Sequence, residues 1–302
     1  MLELHGCYTA IVTPFTPDGV AVDEARLRAQ IAFQAEGGVR GIVPCGTTGE
    51  APTLEEDEHR LVIEVAVEVG RARGLQVIAG AGSNSTRHAV GLQRLAHELG
   101  ADAGLQVSPY YNKPSQEGLY RHFMTVADSC PLPIVLYNIP GRCGVAINPD
   151  TVARLARHPN IVAIKEATGS MDSASEIRQR CDLAILSGDD TLTLPFAACG
   201  SSGVVSVLSN LLPARIQGLC DLFLDGRFAE AQAVHRELFP LAKGLLSLDV
   251  NPVPLKAAMR LLDRDSGAVR QPLAEASKDA VARIGELLAN FGLARLESVA
   301  KS

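Results

Sequence analysis

Eight short runs of strand-forming residues, spaced by amphipathic stretches, limit what this chain can fold into. The runs fall at residues 7–12, 41–45, 76–80, 103–108, 134–138, 161–165, 184–187 and 203–208. Between them, helical periodicity marks 23–36, 54–73, 86–99, 116–128, 149–157 and 174–181. Three of these stretches open on start signals, with Thr53 before Leu54, Ser115 before Gln116 and Asn148 before Pro149. Strand and helix in strict alternation predict an α/β fold with a parallel sheet. Eight units fit a closed (β/α)8 TIM barrel better than an open doubly wound sheet, because a barrel leaves no edge strand. An eighth helix is expected at 213–224, followed by helical segments at 228–248, 254–262 and 274–291 with no strands among them. The expected organisation is a catalytic barrel over residues 1–226 and a helical C-terminal extension over 227–302, with no linker between them.

Composition narrows the partner. The 302 residues are 47% hydrophobic, enough for a large core, and carry a net charge of −6. With no basic run, nucleic acid and anionic membrane surfaces are poor partners, and a small molecule is the expected one. Seven cysteines, an odd number without C-x-x-C spacing, fit reduced thiols rather than a disulfide framework. The N-terminus lacks a signal pattern and no apolar run reaches transmembrane length, so a cytoplasmic location is expected.

The stretch Asn160-Ile-Val-Ala-Ile-Lys-Glu-Ala-Thr168 sets a lysine at the carboxyl end of an apolar strand. A lysine rooted there must reach water, pair with a carboxylate, or act as a partly desolvated amine. Glu166 falls on the opposite strand face. Lys113 lies in a Pro-flanked loop, Lys243 and Lys256 on helical segments, and Lys278 and Lys301 in the polar C-terminal region, so only Lys165 has a strand behind it. Two readings of Lys165 stand, a Schiff-base nucleophile and a buried ion pair.

A barrel enzyme builds its site from the loops at the carboxyl ends of its strands. After the second strand, Gly46-Thr-Thr-Gly-Glu50 offers converging backbone N–H groups and two hydroxyls, either a carboxylate cradle or an ordinary Gly-rich turn. After the fourth comes Pro109-Tyr-Tyr-Asn-Lys-Pro-Ser115, and the fifth ends in Tyr137-Asn-Ile-Pro-Gly-Arg-Cys-Gly144. The tyrosines read as proton carriers or as hydrogen-bonded core phenols, and Arg142 as a carboxylate fork or a loop salt bridge. Ser187-Gly-Asp-Asp190 puts two carboxylates where barrels often bind phosphate, which disfavours phosphorylated substrates and pyridoxal phosphate. Gly80-Ala-Gly82-Ser-Asn-Ser85 lacks the third glycine of a dinucleotide fingerprint and reads better as a helix start. The seven histidines, among them His59, His88, His97 and His122 on helices, lack metal-ligand spacing. No metal and no cofactor is expected.

Taken together, Gly46-Thr-Thr-Gly-Glu50, the decapeptide from Tyr110 to Leu119, Tyr137-Asn-Ile-Pro-Gly-Arg142, Ile164-Lys-Glu-Ala-Thr168 and Ser187-Gly-Asp-Asp190 resemble the dihydrodipicolinate synthases. These belong to the wider family of pyruvate-dependent class I aldolases and lyases that includes N-acetylneuraminate lyase. The resemblance runs from about Gly6 through Met259. It implies condensation of pyruvate with aspartate semialdehyde, an imine at Lys165, and Tyr137 as acid and base. Thr47 and a neighbouring subunit's Tyr111 would complete a proton relay, Thr48 and its loop would hold the pyruvate carboxylate, Arg142 would orient the relay and bind the aldehyde's carboxylate, and Gly188 and Val205 would line the pocket. A homotetramer, a dimer of dimers, is implied as well. Cys143 stands where the family usually has threonine, and as another small side chain it is expected to be neutral.

The resemblance also implies an inter-subunit pocket for lysine, the end product that inhibits many members. Asn84, His59 and Tyr110 match it, whereas His88 stands at the glutamate position and Glu56 at a histidine position. Weak or absent lysine inhibition is expected. The alternatives are another pyruvate aldolase acting on a sugar acid, against which Arg142 and the double tyrosine speak, and a non-catalytic pyruvate-binding barrel, against which the intact lysine, tyrosine and threonine set speaks.

Overall fold

Eight parallel strands close on themselves in chain order: β1 (Gly6–Thr9), β2 (Gly41–Ile42), β3 (Gln76–Gly80), β4 (Ala103–Val107), β5 (Ile134–Asn138), β6 (Ile161–Glu166), β7 (Ala184–Ser187) and β8 (Gly203–Ser206). The last pairs back to the first, from Gly6 opposite Gly203 to Thr9 opposite Ser206. A β-carbon at Gly203 would lie 2.1 Å from the Gly6 carbonyl oxygen, so this seam closes only around glycine. This computed structural model describes residues 2–293. Met1 and residues 294–302, the end of the expected extension with Lys301, lie outside the described residues.

The helices are α1 (Glu24–Glu36), α2 (Glu56–Ala72), α3 (Thr86–Glu98), α4 (Gln116–Ala127), α5 (Pro140–Cys143), α6 (Pro149–Leu155), α7 (Met171–Arg180), α8 (Thr193–Ala198), α9 (Pro213–Leu224), α10 (Phe228–Leu246), α11 (Val253–Leu261) and α12 (Lys278–Asn290). The TIM-barrel class and the helical run after the eighth strand are as expected, and the differences have local causes. The second strand stops at Ile42 rather than residue 45, because Pro44 has no N–H to donate and Cys45 turns left-handed at φ 54°. Thr53 does not cap α2: its hydroxyl donates to the Glu50 carbonyl at 3.0 Å, and Glu55 and Glu58 form the capping box instead. Asn148 offers α6 no side-chain cap, whereas Ser115 accepts from the Gly118 N–H as expected. Ser170 caps α7, which begins at Met171, three residues ahead of the predicted start. The short helices α5 and α8 have no counterpart in the sequence pattern, since four and six residues are too few to show a period.

Side chains sort by strand parity. Tyr8, Ile78, Leu105, Val135, Tyr137, Ala163, Leu186 and Val205 pack with one another inside the ring. Outside it, Ile11, Leu27 and Ile31 share one apolar cluster with Leu241 and Leu245 of α10, Leu255 and Met259 of α11, and Ile284 and Leu288 of α12. The C-terminal helices are thereby packed onto the barrel's own core. All seven cysteines are free. Among the described residues no helix is long and apolar enough to cross a membrane.

The fold also buries a titratable ring on α4. His122 is 5% exposed, meets the Thr86 hydroxyl at 2.9 Å through Nδ1, and has no hydrogen-bond partner for Nε2 among the described residues. Burial pushes its pKa down from 6.5 to about 4. The folded chain therefore refuses a proton that the unfolded chain binds, so the stability tied to neutral His122 is complete above pH 6.5 and is lost as pH falls toward 4. We expect this group to lower the unfolding free energy by up to ~3 kcal/mol across that window. Denaturant melts from pH 7 to 4 should show a shallower loss for His122→Gln than for the parent.

Candidate active site

Lys165 and Tyr137 are a cross-strand pair. The β5–β6 register sets Tyr137 opposite Lys165 and Asn138 opposite Glu166, so the first two face the barrel interior and the second two face outward. The Lys165 ammonium lies 4.0 Å from the centre of the Tyr137 ring, and its residue is 7% exposed. Among the described residues no carboxylate lies within ion-pairing distance of it. The buried ion pair in this chain belongs to another lysine: Lys256 Nζ meets Glu50 Oε1 at 2.7 Å with both side chains essentially inaccessible. On the outer face, Glu166 accepts from Asn138 Nδ2 at 3.1 Å and from the Thr168 N–H at 2.8 Å. Burial raises its pKa against these hydrogen bonds, which pull it down.

The Gly46–Glu50 loop crosses the end of β3 so closely that a β-carbon at Gly80 would meet the Cys45 carbonyl oxygen at 1.9 Å. This approach, which only glycine at residue 80 permits, brings Thr47 and Thr48 over the barrel mouth. Asn251, in the turn before α11, donates from Nδ2 to the Thr48 hydroxyl at 2.9 Å, and its backbone oxygen accepts from Arg142 Nη2 at 3.5 Å. One asparagine outside every recognised motif thus joins two predicted site residues that arise from different strands. Lys256 is a second residue that the motifs do not single out. Its signal lies in Val253-Pro-Leu-Lys-Ala-Ala-Met259, a turn apolar on every side of the lysine.

Thr47, Tyr137, Arg142 and Cys143 line a cavity of about 500 Å³ together with Glu56, His59, His88 and Tyr110. Lys165, Thr48, Gly188 and Val205 are not among the residues that line it. Gly188 packs on the end of β6, its N–H donating to the Glu166 carbonyl at 2.8 Å, and Val205 belongs to the interior cluster that holds Tyr137. Tyr111 is 90% exposed, stands at φ 73° and is not among the residues that line the cavity. Burial pushes the Cys143 thiol up to about 11, so it stays neutral as threonine would.

The regulatory set divides. His59 is buried, with Nε2 3.0 Å from the Gly80 carbonyl, and burial lowers its pKa. His88 Nδ1 meets the Ser83 hydroxyl at 3.2 Å. Asn84 does not share a helix face with His88, although residues four apart on one helix would. Ser85 takes the N-cap, α3 begins at Thr86, and Asn84 sits in the approach, accepting from Asn112 through its backbone oxygen and standing outside the cavity lining.

At the end of β7, Asp190 is enclosed and accepts from the Ser206 hydroxyl and from the N–H groups of Val207 and Leu208 at 2.9 and 3.0 Å. Its carboxylate fills the place beyond β7 and β8 where barrels commonly seat a phosphate. Replacing it by asparagine would turn an amide N–H toward one of those donors. Asp190→Asn is therefore expected to cost about 1–3 kcal/mol in chemical denaturation, with no matching loss for the neighbouring Asp189→Asn, whose exposed side chain accepts from the Thr191 N–H and hydroxyl.

An interior lysine without a counter-ion, a phenol beside it and a hydroxyl-bearing Gly-rich loop above it define a barrel suited to imine chemistry. Residues 3–290 match the dihydrodipicolinate synthetase family, and the chain belongs to it. It is 51% identical to the 4-hydroxy-tetrahydrodipicolinate synthase of Geotalea daltonii over 274 residues, 90% of this chain and 93% of that one. It is 49% identical to the enzyme of the same name from Pelobacter propionicus over 290 residues, 95% and 99% of the two chains. Among solved structures, the lysine-bound dihydrodipicolinate synthase of Cyanidioschyzon merolae superposes with a TM-score of 0.93 at 40% identity, covering 96% of this chain and 98% of that one.

Proposed function

We propose that this chain condenses pyruvate with L-aspartate 4-semialdehyde through an imine on Lys165, giving 4-hydroxy-tetrahydrodipicolinate. The observation that carries the reading is Lys165 itself, enclosed, facing the barrel interior, and held by no carboxylate among the described residues. Its Nζ attacks the ketone carbon of pyruvate and water leaves, forming the imine. Loss of a methyl proton gives an enamine whose carbon attacks the aldehyde, and the resulting alkoxide takes up a proton. The amine of the second substrate then attacks the imine carbon, closes the ring and releases Lys165 as a free amine. No redox partner enters the balance.

Each proton needs a carrier within reach. Tyr137, against the lysine, serves as acid and base, and Thr47 and the partner's Tyr111 extend the relay. Tyr111 of a single chain is exposed and turned outward, the disposition expected of a residue that works across an interface, and a homotetramer built as a dimer of dimers is the assembly we propose. Thr48 and the loop N–H groups take the pyruvate carboxylate. Arg142, steadied by the Asn251 carbonyl, forks onto the carboxylate of the semialdehyde. Gly188 and Val205 shape the floor. Substrates of this kind support a cytoplasmic biosynthetic enzyme.

Borohydride reduction in the presence of pyruvate should add the pyruvate-derived mass to the peptide containing Lys165. A label on Lys113 or Lys256 instead would overturn the assignment. Lys165→Ala should lower kcat by several powers of ten, the scale expected on losing a covalent nucleophile.

The outer end of the cavity, with Glu56, His59, His88 and Tyr110 and with Asn84 beside it, is the amino-acid pocket of the inhibited relatives with its charge altered. An imidazole in place of a carboxylate removes a charge-assisted hydrogen bond to a ligand ammonium, a loss of about 1.5–3 kcal/mol or roughly ten- to a hundred-fold in affinity. Lysine is expected to inhibit weakly or not at all. Initial rates at saturating pyruvate test this, and half-inhibition at submillimolar lysine would refute it.

A further inference from the structure

We propose that Lys256 and Glu50 are positioning residues for the proposed pyruvate site: through their buried ion pair, helix α11 fixes the Gly46–Glu50 loop in the shape that receives the carboxylate. This rests on the assignment of that loop to pyruvate made above. Removing two charges from water is a weak source of net stability, so a pair this enclosed, at 2.7 Å, asks for another consequence. Its position supplies one.

Glu50 ends the loop at φ 54° and Cys45 enters it at the same angle, left-handed values that non-glycine residues hold only when their surroundings enforce them. Both Glu50 carboxylate oxygens are occupied, Oε1 by Lys256 and Oε2 by the Arg270 N–H at 2.9 Å. Lys256 also donates to the Thr13 carbonyl at 2.9 Å, and the Thr13 hydroxyl donates to the Gly49 carbonyl at 2.7 Å. Gly49 and Glu50 are thereby held from two sides, by the segment after β1 and by Lys256 of α11 with Arg270 of the segment that follows it. Thr47 and Thr48 lie between this anchor and the close crossing at Gly80. Lys256 stacks over the Phe15 ring at 4.2 Å and reaches neither solvent nor the cavity, so its influence on the reaction passes through the loop.

Lys256→Met alone would strand the Glu50 carboxylate in the interior, so the paired variant Lys256→Met/Glu50→Leu is the one to make. It replaces both charges with apolar side chains of similar volume, an exchange proteins commonly tolerate. Folding is read by circular dichroism and thermal melting, and initial rates are read against each substrate in turn. The pyruvate KM is expected to rise about tenfold, while the aldehyde KM at saturating pyruvate moves less than about twofold and borohydride trapping still marks Lys165. A folded paired variant with the parent's pyruvate KM would overturn the proposal and leave the pair a part of the scaffold alone. Should the paired variant not fold, Glu50→Gln, which removes the charge of the pair and sets an amide N–H against one of the two donors, takes its place: a raised pyruvate KM supports the proposal and an unchanged one overturns it. A parent enzyme that yields no pyruvate adduct would overturn the imine reading beneath it, a result distinct from either.

Discussion

A strand offers its side chains two faces and no third, and the site depends on that restriction. Because the period is two, setting Lys165 and Tyr137 toward the barrel axis obliges Asn138 and Glu166 to face the helices. The outward pair is hydrogen-bonded across the same strands. A slip of one residue would exchange the two faces, placing a carboxylate in the interior and the amine among the helices. Chemistry inside and hydrogen bonding outside both follow from one register.

The chain holds two enclosed lysines, and their surroundings give them opposite characters. Lys256 is ion-paired with Glu50 and donates to the Thr13 carbonyl, which ties its Nζ down inside the fold. Lys165 faces a tyrosine ring and, among the described residues, has no carboxylate at hand. The difference lies in the neighbours, not in depth, since both are buried.

Much of this is legible in the primary structure because it is carried by period and by punctuation. The β3, β5 and β7 strands fall where apolar runs lie between turn residues, and Ser115 and Ser85 cap the helices their positions suggest. Where two signals compete, the sequence is ambiguous: Thr53 has the chemistry of a cap, but its hydroxyl is drawn to Glu50 while the Glu55–Glu58 box starts the helix. The roles of Asn251 and Lys256 are not legible, because each depends on a partner some two hundred positions away in the chain. Asn84 shows the same limit at short range. Its distance from His88 is right for a shared helix face, but the helix does not extend that far back.

Asp190 gives the barrel mouth a resident carboxyl group, whose pKa burial raises against the hydrogen bonds that it accepts. The N–H groups of Val207 and Leu208, in the loop after β8 where many barrels bind phosphate, are already bound to a carboxyl group that belongs to the chain. With those donors taken from within, this part of the mouth keeps neither the Val207 nor the Leu208 N–H free for a phosphoryl group.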